Sequence, residues 1–104
     1  MSTYKLRFMF DYHAHCIWGV NSEAIDKYGC NIKKEKLHLS ETLISELTAL
    51  EDEYHTLINW DCPLSSTPWT EEHKADFIYR TNAAYIKVKN ELGEDFEIEL
   101  FPVL

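Results

Sequence analysis

Four stretches of the chain carry a hydrophobic rhythm, and the rhythm changes twice. Residues 4 to 12, YKLRFMFDY, set Tyr4, Leu6, Phe8, Phe10 and Tyr12 against Lys5, Arg7, Met9 and Asp11, the period of two expected when one face of a strand is buried. The apolar run CIWGV, Cys16 to Val20, is short enough for a second strand folded back through His13-Ala14-His15, although it lacks an Asn-Gly or Asp-Gly turn. NSEAIDKYG, residues 21 to 29, predicts a short helix. Asn21 or Ser22 can accept from its first amides, Glu23 suits its positive end, and Gly29 can stop it. Residues 30 to 39, CNIKKEKLHL, leave open whether a short edge strand is present, with lysines discouraging further pairing.

From Ser40 the period becomes helical. Leu43, Leu47, Leu50, Tyr54 and Leu57 follow at offsets of four and three, widened by Ile44 and Ile58. The predicted helix runs from a Ser40 cap to about residue 58, with Glu46, Glu51, Asp52 and Glu53 on its outer face. A second long helix starts after a Pro- and Ser-containing loop, at either Thr67-Pro68 or Thr70-Glu71-Glu72. Its inner stripe is Phe77, Thr81, Ala84, Tyr85, Val88 and Leu92, and Gly93 ends it. Residues 95 to 101, DFEIELF, alternate once more, with Phe96, Ile98 and Leu100 inward and Asp95, Glu97 and Glu99 outward. The order predicts one α+β domain over residues 1 to 104: a small antiparallel or mixed sheet, one face covered by two long helices, plus one short helix. The N-terminal strand or hairpin and the C-terminal strand are the expected neighbours.

Composition supports a folded domain. The chain has 104 residues, 45% of them hydrophobic, with fourteen aromatics, enough to bury a core. No run reaches the roughly 18 apolar residues of a membrane span, and the amino end lacks a signal peptide's apolar segment, so a cytoplasmic protein without a membrane partner is expected. Cys16, Cys30 and Cys62 are odd in number and unpaired in spacing, which predicts reduced, packed thiols.

Charge alters the picture more. Net charge is −8. Residues 1 to 40 hold six bases against four acids, a net +2, whereas the remainder holds four bases against fourteen acids, a net −10. Such a field repels phosphate backbones and attracts basic proteins, which argues against direct nucleic-acid binding.

Candidate chemistry is sparse. Asp11, His13, His15 and Cys16 are all zinc-ligand types, and His13 and His15 share a face if the strand continues. Closing a metal site would need a further ligand from Cys30, His38, His55, Cys62 or His73, which have no paired spacing; loop or core histidines are the simpler account. Cys16 or Cys62 with a histidine base would make a thiol enzyme, but sequence shows no such constellation. No Gly-rich phosphate loop, GxSxG or HExxH is present. The expectation is a protein with no cofactor or catalytic residues; the alternatives are a small metal- or thiol-dependent enzyme using His13, His15 and Cys16, or a homodimeric adaptor.

The segment Glu51, Asp52, Glu53, Tyr54, His55 reads most simply as a solvated helix face. It runs into Trp60 and Asp61, and Trp69, Glu71 and Glu72 follow the loop. Aromatics beside charges are also the composition of binding hot spots. The two tryptophans therefore stand either at an interface or in the core, clamping the helix pair.

The succession LHLSETLISELTALEDEYHTLINWDCPLSSTPWTEEHKADF, continuing to ELGEDFEIE, resembles the acidic immunity proteins of bacterial contact-dependent inhibition and related polymorphic toxin systems. The resemblance is clearest over residues 37 to 99 and weaker over KLRFMFDY. Such proteins differ widely in fold, so no fixed residue set carries over. The resemblance implies a cytoplasmic protein that binds a cognate toxin domain, often a basic nuclease, and neutralises it by occluding the active site. The contact residues expected are Glu51, Asp52, Glu53, Trp60, Asp61, Trp69, Glu71 and Glu72, with the exposed acids of the last strand as a competing surface.

Overall fold

The computed structural model describes residues 3–57 and 67–101 of the chain. It contains β1 (Tyr4–Phe8), β2 (Ile17–Gly19), α1 (Ser22–Tyr28), β3 (Asn31–Ile32), α2 (Glu41–Tyr54), α3 (Glu71–Leu92) and β4 (Phe96–Leu100), with short 3-10 turns at Lys34–Lys36 and His55–Leu57. The fold is α+β, as the alternation of periods predicts.

The strands form a mixed sheet in the order β3-β2-β1-β4. β1 pairs antiparallel with β2, which pairs antiparallel with β3, and β1 lies parallel to β4 with Tyr4 opposite Phe96 and Leu6 opposite Ile98. Alternation along β1 and β4 then sorts the faces. Leu6, Phe8 and Ile98 are buried under the helices, while Lys5, Glu97 and Glu99 are exposed on the other side. The first strand is shorter than its rhythm suggests: it ends at Phe8 rather than Tyr12, although Phe10 stays in the core.

CIWGV does supply a strand, and the ambiguous stretch supplies two residues of β3. Gly19 is obligatory there, because a Cβ on it would lie 2.7 Å from the Gly29 carbonyl oxygen. Gly29 itself ends α1 at φ 101 and ψ 172, a region essentially closed to other residues and distinct from the left-handed well. Of the alternative caps, Asn21 accepts from the Ala24 amide and Thr70 accepts from the His73 amide, so α3 starts at Glu71.

Phe8 sits edge-on to Phe10 and Tyr85, and Phe10 stacks on Tyr54 and meets Phe77. Tyr4, Tyr28 and Phe96 close the α1 end of the same layer. Each fully buried Phe is worth about 1.5–3 kcal/mol over its exposed state. Among the described residues no helix is long and apolar enough to cross a membrane.

Candidate partner interface

α2 and α3 run antiparallel and are joined by polar contacts along their length. The Ser40 amide and hydroxyl donate to Glu91, Lys87 reaches Glu46 at 3.0 Å, and Arg80 forks both oxygens of Glu53. At the last step the Trp69 indole N–H donates to Thr56 Oγ1 at 2.6 Å, and Thr56 donates in turn to the Glu53 carbonyl. The turn after α2 is thereby held beside the start of α3.

This arrangement corrects the outer acidic face expected on α2. Glu46 and Glu53 turn toward α3, and Glu51 turns the opposite way onto Lys34, 2.7 Å away. Only Asp52 of the four faces solvent fully; Glu41, Thr42, Ser45, Thr48 and Ala49 are the other exposed positions of α2. Long acidic side chains at helix flanks reach neighbouring bases, which the helical period alone does not reveal.

The other expected contact residues divide similarly. Trp69 is only 6% exposed, stacked on His73 with ring centroids 4.0 Å apart and packed on Phe77. It belongs to the clamp between the helices. Glu71 and Glu72 are exposed at the positive end of α3, Glu71 within 3.2 Å of Lys74. Trp60 and Asp61 lie outside the described residues. One end of the helix pair thus exposes Asp52, Glu71 and Glu72 above a braced Trp69, with Glu53 as its keystone.

Arg80 holds the Glu53 carboxyl below its ordinary value of 4.5 against the opposing effect of burial, with His73 adding in the same direction. A carboxylate whose folded pKa is depressed gives stability above about pH 4.5 that is lost as pH falls through the folded value. Urea unfolding at pH 7 and pH 3 should therefore show a smaller acid loss for Glu53→Gln than for wild type; equal losses would mean the pair contributes nothing.

His13, His15 and Cys16 do not converge. The His13 amide donates to His55 Nε2, the His15 ring lies 3.4 Å from Lys34 Nζ, and Cys16 is fully buried with its amide donating to Glu51 Oε2 at 2.7 Å. Burial and the Glu51 carboxylate push the Cys16 thiol well above its usual range, away from the thiolate that nucleophilic chemistry requires. Cys30 is exposed rather than packed, and Cys62 lies outside the described residues. Among the described residues no group of three or more His, Cys, Asp or Glu is placed to hold a metal ion.

Two exposed features escaped the sequence reading. α3 turns Tyr79, 76% exposed, and Ile86, 56% exposed, to solvent; a period-3.6 reading that follows the buried stripe passes over apolar residues on the far side. On the open face of the sheet, the Arg7 guanidinium lies over the Phe101 ring at 5.4 Å, and Trp18 stands beside Arg7 in register.

No curated protein matches the chain. The sequence model of one family, described as Serratia CdiI immunity protein-like, matches residues 4–103. A match over nearly the full length shows membership: the chain belongs to this family of immunity proteins, and its role is to neutralise a toxin.

Proposed function

We propose that the protein neutralises a basic toxin domain, a nuclease, in the cytoplasm by covering its active site, with no catalytic step. The observation that carries this reading is the exposure of Asp52, Glu71 and Glu72 at one end of the α2–α3 pair, in a chain of net charge −8. Acids held in fixed positions can take the place of the phosphates that a nuclease cleft attracts, steering encounter and then blocking substrate. Trp69 and Glu53 serve this surface from beneath by fixing its shape; Trp60 and Asp61, outside the described residues, are proposed as contacts from the sequence alone. A rigid acidic platform limits the ordering cost of association, which favours tight binding from an interface of ordinary size.

The test is co-expression with the carboxy-terminal domain of the toxin encoded beside it, scoring growth and co-purification. Wild type should rescue growth. The triple variant Asp52→Lys, Glu71→Lys, Glu72→Lys should associate about tenfold or more slowly at low salt. It should remain folded, since Glu71 and Glu72 in the first turn of α3 are each worth only about 0.3–1 kcal/mol and the dipole disfavours an acid at Asp52 in the last turn of α2. Unchanged association would place the contact elsewhere, and failure of wild type to bind or protect would undo the reading.

A further inference from the structure

We propose that β4 is the docking edge for an extended, basic strand of the toxin. The proposal rests on the toxin-binding reading and gives that partner a second contact, on the sheet.

The two edges of the sheet are unequal. β3 is two residues long and is followed at once by the exposed Lys33, whereas β4 presents five residues. A short, lysine-flanked edge discourages strand addition, and a longer regular one permits it. The bonding pattern shows which groups β4 offers. The Phe101 amide donates to the Phe8 carbonyl and the Tyr4 amide to the Asp95 carbonyl, so the odd-numbered residues of β4 bond inward to β1. The backbone groups of Phe96, Ile98 and Leu100 consequently face the open edge. Among the described residues two are engaged there: the Phe96 amide contacts the Gly93 carbonyl at 3.4 Å, and the Tyr85 hydroxyl donates to the Ile98 carbonyl at 2.8 Å. That carbonyl retains a second lone pair, and the Ile98 and Leu100 amides are the donors an added strand would use.

Side-chain charge selects the occupant. Glu97 and Glu99 project exposed from the open face beside Lys5 at 4.0 Å and Arg7 at 3.7 Å. Proceeding outward, the rows read base on β1 and acid on β4, so a strand with bases at the next positions extends the alternation. A groove of about 370 Å³ lined by Lys5, Leu6, Val20, Glu97, Ile98 and Glu99 runs over β1 on the open face and reaches the two acids from the inner side of β4. On the covered face the added strand's alternate residues would continue the apolar row of Phe96, Ile98 and Leu100. A second copy of this chain fits poorly. Antiparallel pairing of β4 with itself about Ile98 sets Glu97 against the copy's Glu99, and like charges directly opposite destabilise a pair.

The experiment uses the full chain, alone and with the co-purified toxin domain, and follows amide hydrogen exchange. The expected result is exchange at Ile98 and Leu100 slowed about tenfold or more in the complex. Glu97→Lys with Glu99→Lys should weaken affinity about tenfold, a change of about 1.4 kcal/mol in binding, measured under conditions where the variant is folded, since the new lysines stand opposite Lys5 and Arg7 and lower the urea midpoint. Leu100→Pro removes an outward donor and leaves the β1 ladder intact; it should likewise weaken binding, and where it fails to fold, the exchange and charge-reversal measurements decide. A complex that forms normally, with unchanged exchange at both amides and undiminished affinity of the charge variant, overturns the docking edge and leaves the toxin-binding reading standing. Absence of any complex with wild type removes both. Concentration-dependent protection of the two amides in the chain alone assigns the edge to a second copy instead.

Discussion

Lys34→Met is expected to lower the urea midpoint of unfolding by about 2–3 M, from a loss of about 3–5 kcal/mol at the urea sensitivity usual for a small protein. Lys34 is 3% exposed, and its ammonium lies 2.7 Å from Glu51 Oε1. The second Glu51 oxygen receives the Cys16 amide, so the pair ties the 3-10 turn after β3 to both α2 and the start of β2. Removing only the base leaves a largely buried carboxylate with one donor. Because a protein of this size has about 5–15 kcal/mol in total, such a loss approaches the threshold of folding. The companion variant, Lys34→Met with Glu51→Gln, keeps an acceptor for Cys16 while removing both charges. It should be more stable than Lys34→Met alone, and if it is not, the stability lies in the lysine's packing rather than in the charge pair.

Phe77→Ala is expected to cost a similar amount, about 3–5 kcal/mol, with a different functional reach. Phe77 is fully buried, and its ring lies 5.4 Å from Phe10, 6.3 Å from Tyr54 and 5.0 Å from Trp69. It is the point where the segment after β1, α2 and the residues before α3 meet. Its loss leaves a cavity beneath Trp69, so the acidic end of the helix pair should lose definition as well as support. Urea unfolding measures the first effect, and co-purification with the toxin domain at a temperature where the variant is folded measures the second. A variant that loses stability yet binds as wild type would detach Trp69 from the contact surface. Phe77→Leu, which preserves most of the volume, should lose less than half as much.

Much of the architecture was legible because periodicity is a property of burial. β1 and β4 alternate strictly, and the leucines of α2 and the Phe77-to-Leu92 stripe of α3 follow helical offsets, so each element and its inner face could be read directly. The boundaries were less legible. β1 stops at Phe8 although Tyr12 continues the rhythm, because residues beyond Met9 turn toward the end of α2, where Tyr12 meets Tyr54 and His13 meets His55. The candidate surface was the least legible part. Glu51, Asp52 and Glu53 are adjacent in sequence, yet at about 100° per residue they point to Lys34, to solvent and to Arg80 respectively. A run of acids on a helix is therefore three environments rather than one patch, and only the positions of the bases across the fold distinguish them. The Glu97 and Glu99 edge was visible as outward acids and β1 was its expected neighbour, but the parallel direction and the free side depend on a register that links residues 92 apart, Tyr4 with Phe96.

That long-range register bears on how the chain acquires its structure. The centre of the sheet is β1, yet one of its two neighbours is the last described element to leave the ribosome. Closing so long a loop precedes any reward from the ladder, and topologies dominated by distant pairings fold slowly. Until β4 arrives, one side of β1 is an unoccupied template carrying Leu6 and Phe8, and transiently exposed strand edges are prone to aggregation. Lys5 and Arg7 stand on that strand between the apolar residues, where charges act as gatekeepers against association with other nascent chains.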